Sequence, residues 1–340
     1  MDIYNDYLNL IKEAVNSDPS NYISKGLGSP YQSRSDVHFK SLLSKIKGNE
    51  IAASMLTLSE NLGTSVDYDQ QLGKHPNFKH LKETNGTEEH YIVSAFMDIK
   101  GSTNLFKKFN KETIYLITNA ILKAGIHTVL IFGGYVHRLQ GDGIFAYFGD
   151  RSMSEEEAVE MSLKAVSVYT HFVKNDLKEY FESQGIENIA IRSGIDLGHR
   201  KDVLWGNSGI GEISEITTCS LHTSLASKMQ SSAMKNGVVV GENIKQQLVN
   251  GDDFFKPVSA RTGSENDRYI YRINERNFYY TQYDFKWEKF LKLQDFIAID
   301  QYGNPVIKIK NKAKPLSIAS LEPIASLNKP YFSNDQYKIR

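Results

Sequence analysis

Two aspartates, each placed in or before a glycine-containing turn, are the residues of this sequence best suited to chemistry. Asp98 ends an apolar run that begins at Tyr91, and a Gly-Ser-Thr turn follows it at residues 101–103. Asp142 lies between two glycines in the stretch 140–143. Carboxylate oxygens are ligands for Mg²⁺ or Mn²⁺, and free backbone N–H groups in a turn suit a phosphate. The pattern predicts metal-assisted phosphate chemistry, although each aspartate alone is also typical of an ordinary turn.

The elements around these aspartates predict how the two carboxylates meet. The run 91–98 is typical of a buried strand, and a long helix is expected from Lys111 to about Phe132. Strands at 135–139 and 143–148 follow, joined by the turn that holds Asp142. In a strand, helix and hairpin unit that turn can return beside the end of the first strand. Asp98 and Asp142 then face each other, and two ions about 3.5–4 Å apart can serve phosphoryl transfer.

The rest of the chain predicts an α+β fold in which helices cover one face of a sheet. A capping box at Ser154 opens a second long helix that reaches about Tyr180. A strand at 189–197, a loop, a helix at 223–230 and a strand at 238–240 follow. Before this region we expect loosely built helices at 7–15, 35–46 and 50–62, with a loop at 22–34. After it, aromatic clusters indicate a small, strand-rich zone.

Composition excludes several classes of protein. With 40 basic and 40 acidic residues, the 340-residue chain has no net charge that would attract nucleic acid or anionic lipid. Cys219 is the only cysteine, which excludes an intrachain disulfide framework and fits a reducing compartment. No apolar run approaches the length of a membrane span, and the N-terminus is unlike a signal peptide. We therefore expect a cytoplasmic protein.

The residues around both aspartates resemble class III nucleotidyl cyclases. The resemblance covers about residues 89–246 and keeps the order and spacing of the motifs. The motifs that carry it are Phe96-x-Asp98-Ile99-x-Gly101-Ser102-Thr103, Gly141-Asp142-Gly143, Arg192-Ser193-Gly194-Ile195-Asp196-Leu197-Gly198, Trp205-Gly206-Asn207, Ala226-Ser227-Lys228-Met229 and Gly237-Val238-Val239-Val240. It implies a class III cyclase catalytic domain with a ferredoxin-like palm at 87–250, between a helical region at 1–86 and a small sensor-like domain at 251–340.

The resemblance also implies the site and its reaction. Asp98 and Asp142 match the metal-binding aspartates, and Ile99 matches the position whose carbonyl completes the metal shell. The turn that holds the triphosphate corresponds to Gly101, Ser102, Thr103 and Asn104. Two Mg²⁺ or Mn²⁺ ions would assist attack of the ribose 3′-OH on the α-phosphorus, which gives a 3′,5′-cyclic nucleotide and pyrophosphate. Two such sites are implied at the interface of a homodimer.

Departures from the family pattern bear on the substrate. Arg138 occupies the position that reads the base, usually Lys or Glu, and its partner position holds Thr217. Lys228 replaces the transition-state arginine, and Ser224 replaces the asparagine four residues before it. A lysine places one positive charge on the α-phosphate but lacks the planar fork of arginine. These changes argue against an ordinary adenylate or guanylate cyclase.

Arg138 indicates a pyrimidine. A guanidinium donates two parallel hydrogen bonds, and cytosine presents adjacent acceptors at O2 and N3, whereas uracil has a donor at N3. The alternative is that Arg138 forms a structural ion pair. The pattern is most similar to the pyrimidine cyclases of bacterial anti-phage (Pycsar) defence, which implies a downstream effector that responds to the cyclic nucleotide. We therefore expect conversion of CTP to cyclic CMP. A uridylate cyclase, a divergent adenylate cyclase and an inactive nucleotide-binding sensor stay open as alternatives.

Overall fold

The structure is a computed structural model that describes residues 1–18, 32–248 and 251–308. Most of the loop predicted at 22–34 lies outside these residues, and so does 309–340 of the predicted C-terminal domain.

The described helices and strands have the following bounds. The α-helices are α1 (Asn5–Asn16), α2 (Gln32–Lys47), α3 (Ala53–Leu62), α4 (His80–Thr84), α5 (Lys111–Ile131), α6 (Glu155–His171), α7 (Lys178–Ser183), α8 (Leu221–Ser232), α9 (Glu242–Gln247), α10 (Ser259–Thr262) and α11 (Trp287–Lys292). The strands are β1 (Thr87–Glu89), β2 (Ile92–Lys100), β3 (Tyr135–Gln140), β4 (Gly143–Phe148), β5 (Ala190–Gly198), β6 (Val203–Ile210), β7 (Ile213–Ser220), β8 (Gly237–Gly241), β9 (Phe255–Pro257), β10 (Tyr269–Ile273), β11 (Phe278–Phe285), β12 (Ile297–Ile299) and β13 (Pro305–Ile307).

The main sheet has a ferredoxin-like palm at its centre. Its strands run in the order β10-β11-β8-β5-β2-β4-β3, and β9 also pairs with β11. The chain order β2-α5-β3-β4-α6-β5 with the sheet order β5-β2-β4-β3, antiparallel throughout, is the split βαβ arrangement. A parallel pairing of β5 with β8 makes the whole sheet mixed. The predicted α+β fold with a mixed sheet covered by helices is confirmed.

Alternation along β2 divides the two faces of the palm. Val93, Ala95 and Met97 belong to the large core shared with α5 and α6. Ile92 and Phe96 instead pack on the opposite face, in a smaller core around Trp205. A strand that is buried on both faces in this way reads as a continuous apolar run, which is why β2 is recognisable in the sequence.

Helix α5 is buried on most of its sides rather than on one face as predicted. The helix begins at an Asn110 cap, whose side chain accepts a hydrogen bond from the Thr113 amide. On its outer side, Tyr7 and Tyr4 of the N-terminal segment hydrogen-bond to His127 (2.6 Å) and Thr128 (2.7 Å). Among the described helices α5 alone has the length and composition of a membrane span, and 67% of that apolar window is buried inside the fold.

The prediction of a loop between residues 197 and 223 was wrong, because this segment forms the hairpin β6–β7. These strands pair over their whole length, from Val203 with Ser220 to Ile210 with Ile213, and β1 joins them in a separate sheet. The second long helix is also interrupted, since residues 172–177 form a π-helical turn between α6 and α7. Serine, threonine and glycine make up eight of the 18 residues of the hairpin, and strand propensity in such a sequence depends on tertiary partners.

Residues beyond 250 extend the palm. Strand β11 pairs with β8 through Gln282 to Phe285, and β9 pairs with the same stretch of β11. Strands β12 and β13 form a hairpin of their own. The division into regions 1–86, 87–250 and 251–340 stays a prediction.

Burial of neutral histidines predicts sensitivity to acid. His75 packs against Trp205 and Tyr135, and burial lowers its pKa to about 3. An unfolded histidine titrates near 6.5, so below that pH the unfolded chain binds more protons and stability falls, by at most about 1.4 kcal/mol per pH unit for each such group.

We expect His75→Phe to make the free energy of unfolding less dependent on pH between 7 and 5. Urea unfolding at several pH values measures this slope. His80→Gln is the matched control, because the His80 side chain is 46% exposed. An unchanged slope in His75→Phe would show that His75 protonates freely in the folded state.

Candidate active site

Asp98 lies near the end of β2 and is held by two side chains. Its Oδ2 atom accepts hydrogen bonds from Arg192 Nη2 (2.8 Å) and Gln230 Nε2 (3.3 Å). Arg192 stands directly opposite Asp98 in the pairing of β2 with β5, and Gln230 comes from α8. The Asp98 side chain is 29% exposed. A half-buried carboxylate therefore faces a fixed positive charge on one oxygen and leaves Oδ1 for another ligand.

The turn that holds Asp142 returns beside Asp98, as the sequence predicts. Met97 pairs with Ile144 across β2 and β4, so Asp98 lies level with Gly143. A Cβ atom on Gly143 would lie 3.5 Å from Asp98 Oδ1 and 3.1 Å from the Met97 carbonyl. Residues opposite each other in an antiparallel pair are about 4.5–5.5 Å apart. The backbones that carry both aspartates thus meet at one edge of the palm.

The Gly-Ser-Thr stretch forms a tight turn next to this edge. Gly101 has φ +92°, a conformation that favours glycine, and its carbonyl accepts a hydrogen bond from the Asn104 amide (2.9 Å). Ser102 and Thr103 line a cleft together with Asp142 and residues of α5. Ile99 is buried in the main core and anchors the strand that precedes the turn.

The donor set fits a divalent cation that is shared with a phosphate. Within the described ranges, no cluster of three or more His, Cys, Asp or Glu side chains forms a closed metal cage. Mg²⁺ is usually held by one or two carboxylates together with substrate phosphates and water, rather than by an all-protein cage. Asp98 and Asp142, at the edge of the palm that borders the cleft, match that pattern.

The other predicted residues lie in a second group. Arg138 forms an ion pair with Glu215 of β7, so the alternative foreseen for this arginine is present. Thr217, two residues further along β7, lies 3.4 Å from the Tyr147 hydroxyl and lines a cleft together with Ser224. Ser224 and Lys228 are one turn apart on the exposed side of α8. The structure thus separates the predicted residues into two sets. We call them the carboxylate group (Asp98, Ile99, Gly101, Ser102, Thr103 and Asp142) and, after its predicted role, the base-reading group (Arg138, Thr217, Ser224 and Lys228).

Three residues of this region were not predicted from the sequence. Arg192 belongs to a motif that was recognised, but only the register of β2 with β5 shows that it faces Asp98. Gln230 and Glu215 carry no local signal at all, because their partners lie 132 and 77 residues away in the chain. Non-local side-chain pairs of this kind follow from strand pairing and helix placement.

A buried polar network fixes helix α8 to the palm. Asp196 is fully buried and accepts hydrogen bonds from the Tyr280 hydroxyl (2.8 Å) and the Leu197 amide (3.0 Å), and it contacts His222 Nδ1 (2.9 Å). Burial raises the Asp196 pKa, and these hydrogen bonds oppose that effect. Strands β5 and β11 are thereby joined to the helix that carries Ser224 and Lys228.

Sequence comparison identifies the relatives of the chain. A cytidylate cyclase of Staphylococcus aureus is 34% identical over 276 residues, which are 80% of this chain and 59% of that protein. A cytidylate cyclase of Escherichia coli is 32% identical over 271 residues, covering 76% of this chain and 58% of that protein. The chain is a homologue of the cytidylate cyclases. It spans 59% of the length of the first of these relatives.

The predicted resemblance to pyrimidine cyclases is therefore confirmed by sequence. No family model matches the chain. Among solved structures, the adenylyl cyclase CyaB of P. aeruginosa aligns with a TM-score of 0.47 and 20% identity, covering 59% of this chain and 95% of that one.

The buried network of this cytidylate cyclase homologue yields a prediction about stability. We expect Asp196→Ala to lower the free energy of unfolding by about 3–5 kcal/mol, because His222 and Tyr280 lose a buried acceptor. Chemical denaturation followed by circular dichroism measures the change. Asp202→Ala, at an exposed position, is the control and should change stability little. A loss below 1 kcal/mol in Asp196→Ala would contradict a role for the network in holding α8.

Proposed function

We propose that the protein is a cytidylate cyclase that converts CTP to 3′,5′-cyclic CMP and pyrophosphate. The observation that carries the proposal is the register of β2 with the β3–β4 hairpin, which sets Asp98 level with Gly143 in a homologue of the cytidylate cyclases. Two carboxylates at one edge of a palm, beside a glycine-containing turn, suit a nucleoside triphosphate and its metal ions.

Each residue of the carboxylate group has a role in this proposal. Asp98 and Asp142, with the Ile99 carbonyl, would hold two Mg²⁺ or Mn²⁺ ions, which lower the pKa of the ribose 3′-OH and neutralise charge on the phosphates. Asp98 offers Oδ1 to metal while Arg192 keeps Oδ2 oriented. Gly101, Ser102 and Thr103 would bind the triphosphate through their backbone amides.

The second group would act on the base and on the α-phosphate. Arg138 and Thr217 read the cytosine ring, and Lys228 places a positive charge on the α-phosphate as pyrophosphate leaves. Ser224 donates one hydrogen bond near the same phosphate. Lys228 and Ser224 lie on the exposed side of α8, where a bound nucleotide can reach them.

We further propose that the protein acts as a homodimer in which each site combines the carboxylate group of one copy with the base-reading group of its partner. Ile210 and Ile213, at the tip of the β6–β7 hairpin, are 86% and 88% exposed. Phe106 and Tyr115, beside the carboxylate cleft, are 64% and 44% exposed. Apolar side chains left this open at both groups fit an interface with a second copy. A role in anti-phage defence, with a separate effector that responds to the cyclic nucleotide, is part of the same proposal.

Three other functions lead to different products. A uridylate cyclase would make cyclic UMP, and a divergent adenylate cyclase would make cyclic AMP. An inactive sensor would bind nucleotide without turnover. The departures from the family pattern at Lys228 and Ser224 motivate this hypothesis. Incubation with each of the four nucleoside triphosphates and Mn²⁺, followed by mass spectrometry of the products, separates them. Cyclic AMP as the main product would overturn the pyrimidine assignment.

Loss of either carboxylate should abolish turnover. We expect Asp98→Ala or Asp142→Asn to lower kcat/KM for CTP by at least about 10³-fold, because the metal ions lose a charged ligand. The rate of pyrophosphate release measures the effect, with Asp69→Asn as a control at an exposed position of the N-terminal region. Near-normal turnover in Asp142→Asn would show that the hairpin turn binds no metal.

Mixing two inactive variants tests the shared site. Asp142→Asn and Lys228→Ala should each be inactive, yet a one-to-one mixture should recover about a quarter of the normal activity, because half of the dimers are mixed and hold one intact site. Activity is measured after the two proteins exchange subunits. No recovery, despite exchange shown by differently tagged copies, would place both groups in the site of a single chain.

A further inference from the structure

We propose that Glu215 is a specificity residue that reads the exocyclic amine of cytosine, and that it acts as a unit with Arg138. Its carboxylate accepts a hydrogen bond from N4–H of the base, while the Arg138 guanidinium donates to N3 and O2. The inference rests on the proposed function and deepens it, because it explains why CTP is preferred to UTP.

A bulge in β3 turns Arg138 toward Glu215. The register of β3 with β4 shifts between Val136 and Arg138, so His137 is the extra residue and Arg138 pairs with Phe145. A bulge of this kind places two successive side chains toward one face and re-aims the second. His137 packs on Phe145 in the aromatic core, and Arg138 extends from the same face to the carboxylate on β7.

The backbone around Glu215 fixes the carboxylate in place. Gly73 crosses between the two strands, since its amide donates to the His137 carbonyl (3.0 Å) and its carbonyl accepts from the Ile216 amide (2.7 Å). A Cβ atom on Gly73 would lie 2.8 Å from Glu215 Cβ, so the glutamate packs directly on this segment. This contact restricts the conformations of the Glu215 side chain, and its carboxylate lies against Arg138.

His137 packs next to the Arg138–Glu215 pair as a neutral ring. Its ring is fully buried, and neither ring nitrogen has a hydrogen-bond partner among the described residues. Burial lowers the His137 pKa to about 3, and Arg138 adds to this effect, so the ring is neutral at physiological pH. The charged partner of Glu215 is consequently Arg138, whereas the neutral His137 ring only approaches it, with Nε2 3.9 Å from Oε2.

The pair stays open to a ligand. The side chains of Arg138 and Glu215 are 45% and 22% exposed. A partly exposed ion pair usually contributes little to stability, so maintenance of the fold does not by itself account for this pair. Stacked Phe96 and Phe145, with ring centroids 4.1 Å apart, lie on the same face of the palm and form an apolar floor beside it.

The hydrogen-bonding groups of a carboxylate beside a guanidinium complement those of cytosine but not those of uracil. Cytosine presents a donor at N4 beside acceptors at N3 and O2, which complements an acceptor beside a donor fork. Uracil presents an acceptor at O4 beside a donor at N3, so the carboxylate meets an oxygen and the guanidinium meets an N–H group. Glutamate accepting from cytosine N4 is an established pairing in base readout. The arrangement therefore both favours CTP and rejects UTP.

The test compares Glu215→Gln with Glu212→Gln in the full chain. Glu212 lies on the same hairpin but is 96% exposed at the tip. The ratio of kcat/KM for CTP to that for UTP is measured for each, with the Mn²⁺ dependence as a second readout. We expect Glu215→Gln to lower the ratio by about tenfold or more, since a glutamine amide can donate to O4 of uracil. Glu212→Gln should leave the ratio unchanged, and the Mn²⁺ dependence should be the same in all three proteins.

Two further measurements keep the inference separate from the proposed function. Calorimetry with non-cyclisable CTP and UTP analogues measures the ratio of their dissociation constants, even in a protein that does not turn over CTP. Absence of cyclase activity therefore overturns only the proposed function. Glu215→Asp keeps an acceptor and should retain the preference for CTP with weaker binding, which covers the case of a misfolded Glu215→Gln. An unchanged ratio in the folded variants, by both rate and binding, would show that the Arg138–Glu215 pair is structural only.

Discussion

The pairing of β2 with a strand on each side is the interaction on which the rest of the structure depends. β4 on one side sets Gly143 level with Asp98, and β5 on the other side sets Arg192 opposite the same carboxylate. Because side chains alternate between faces along a strand, a shift of one residue would turn Asp98 into the core under α5. The apolar residues of β2 fix that register, because Val93, Ala95 and Met97 pack in one core and Ile92 and Phe96 in the other.

The ion pair between Asp98 and Arg192 balances negative charge at this edge of the palm. Two acids close together repel each other, and a half-buried carboxylate also loses hydration. Arg192 offsets both costs by donating to one oxygen of Asp98. Asp98 Oδ1 lies on the side of Gly143, and Asp142 lines the neighbouring cleft. Arg192 thus orients the Asp98 carboxylate, and a carboxylate that is oriented in advance would reduce the reorganisation that the proposed reaction requires.

The base-reading group depends on departures from regular structure. The β3 bulge at His137 directs Arg138 to β7, and the hairpin β6–β7 brings Glu215 and Thr217 to that side. The buried network around Asp196 fixes α8, which supplies Lys228. Bulges and buried polar groups cost stability in isolation, and they recur where a side chain must be aimed. Their presence on one face of the palm agrees with a site built there.

The sequence by itself determined the strands and helices of the palm, and it put Asp98 near a strand end and Asp142 in a hairpin turn. Their metal-binding role stays a prediction. The apolar run of β2, the capped helices α5 and α6 and the glycine-flanked turn at Asp142 are local signals, because each depends on residues a few positions apart. Tertiary structure alone decided that 203–220 is a hairpin, that Arg192 faces Asp98 and that Glu215 holds Arg138. Those features join residues far apart in the chain, and polar strands take their conformation from the partners they meet.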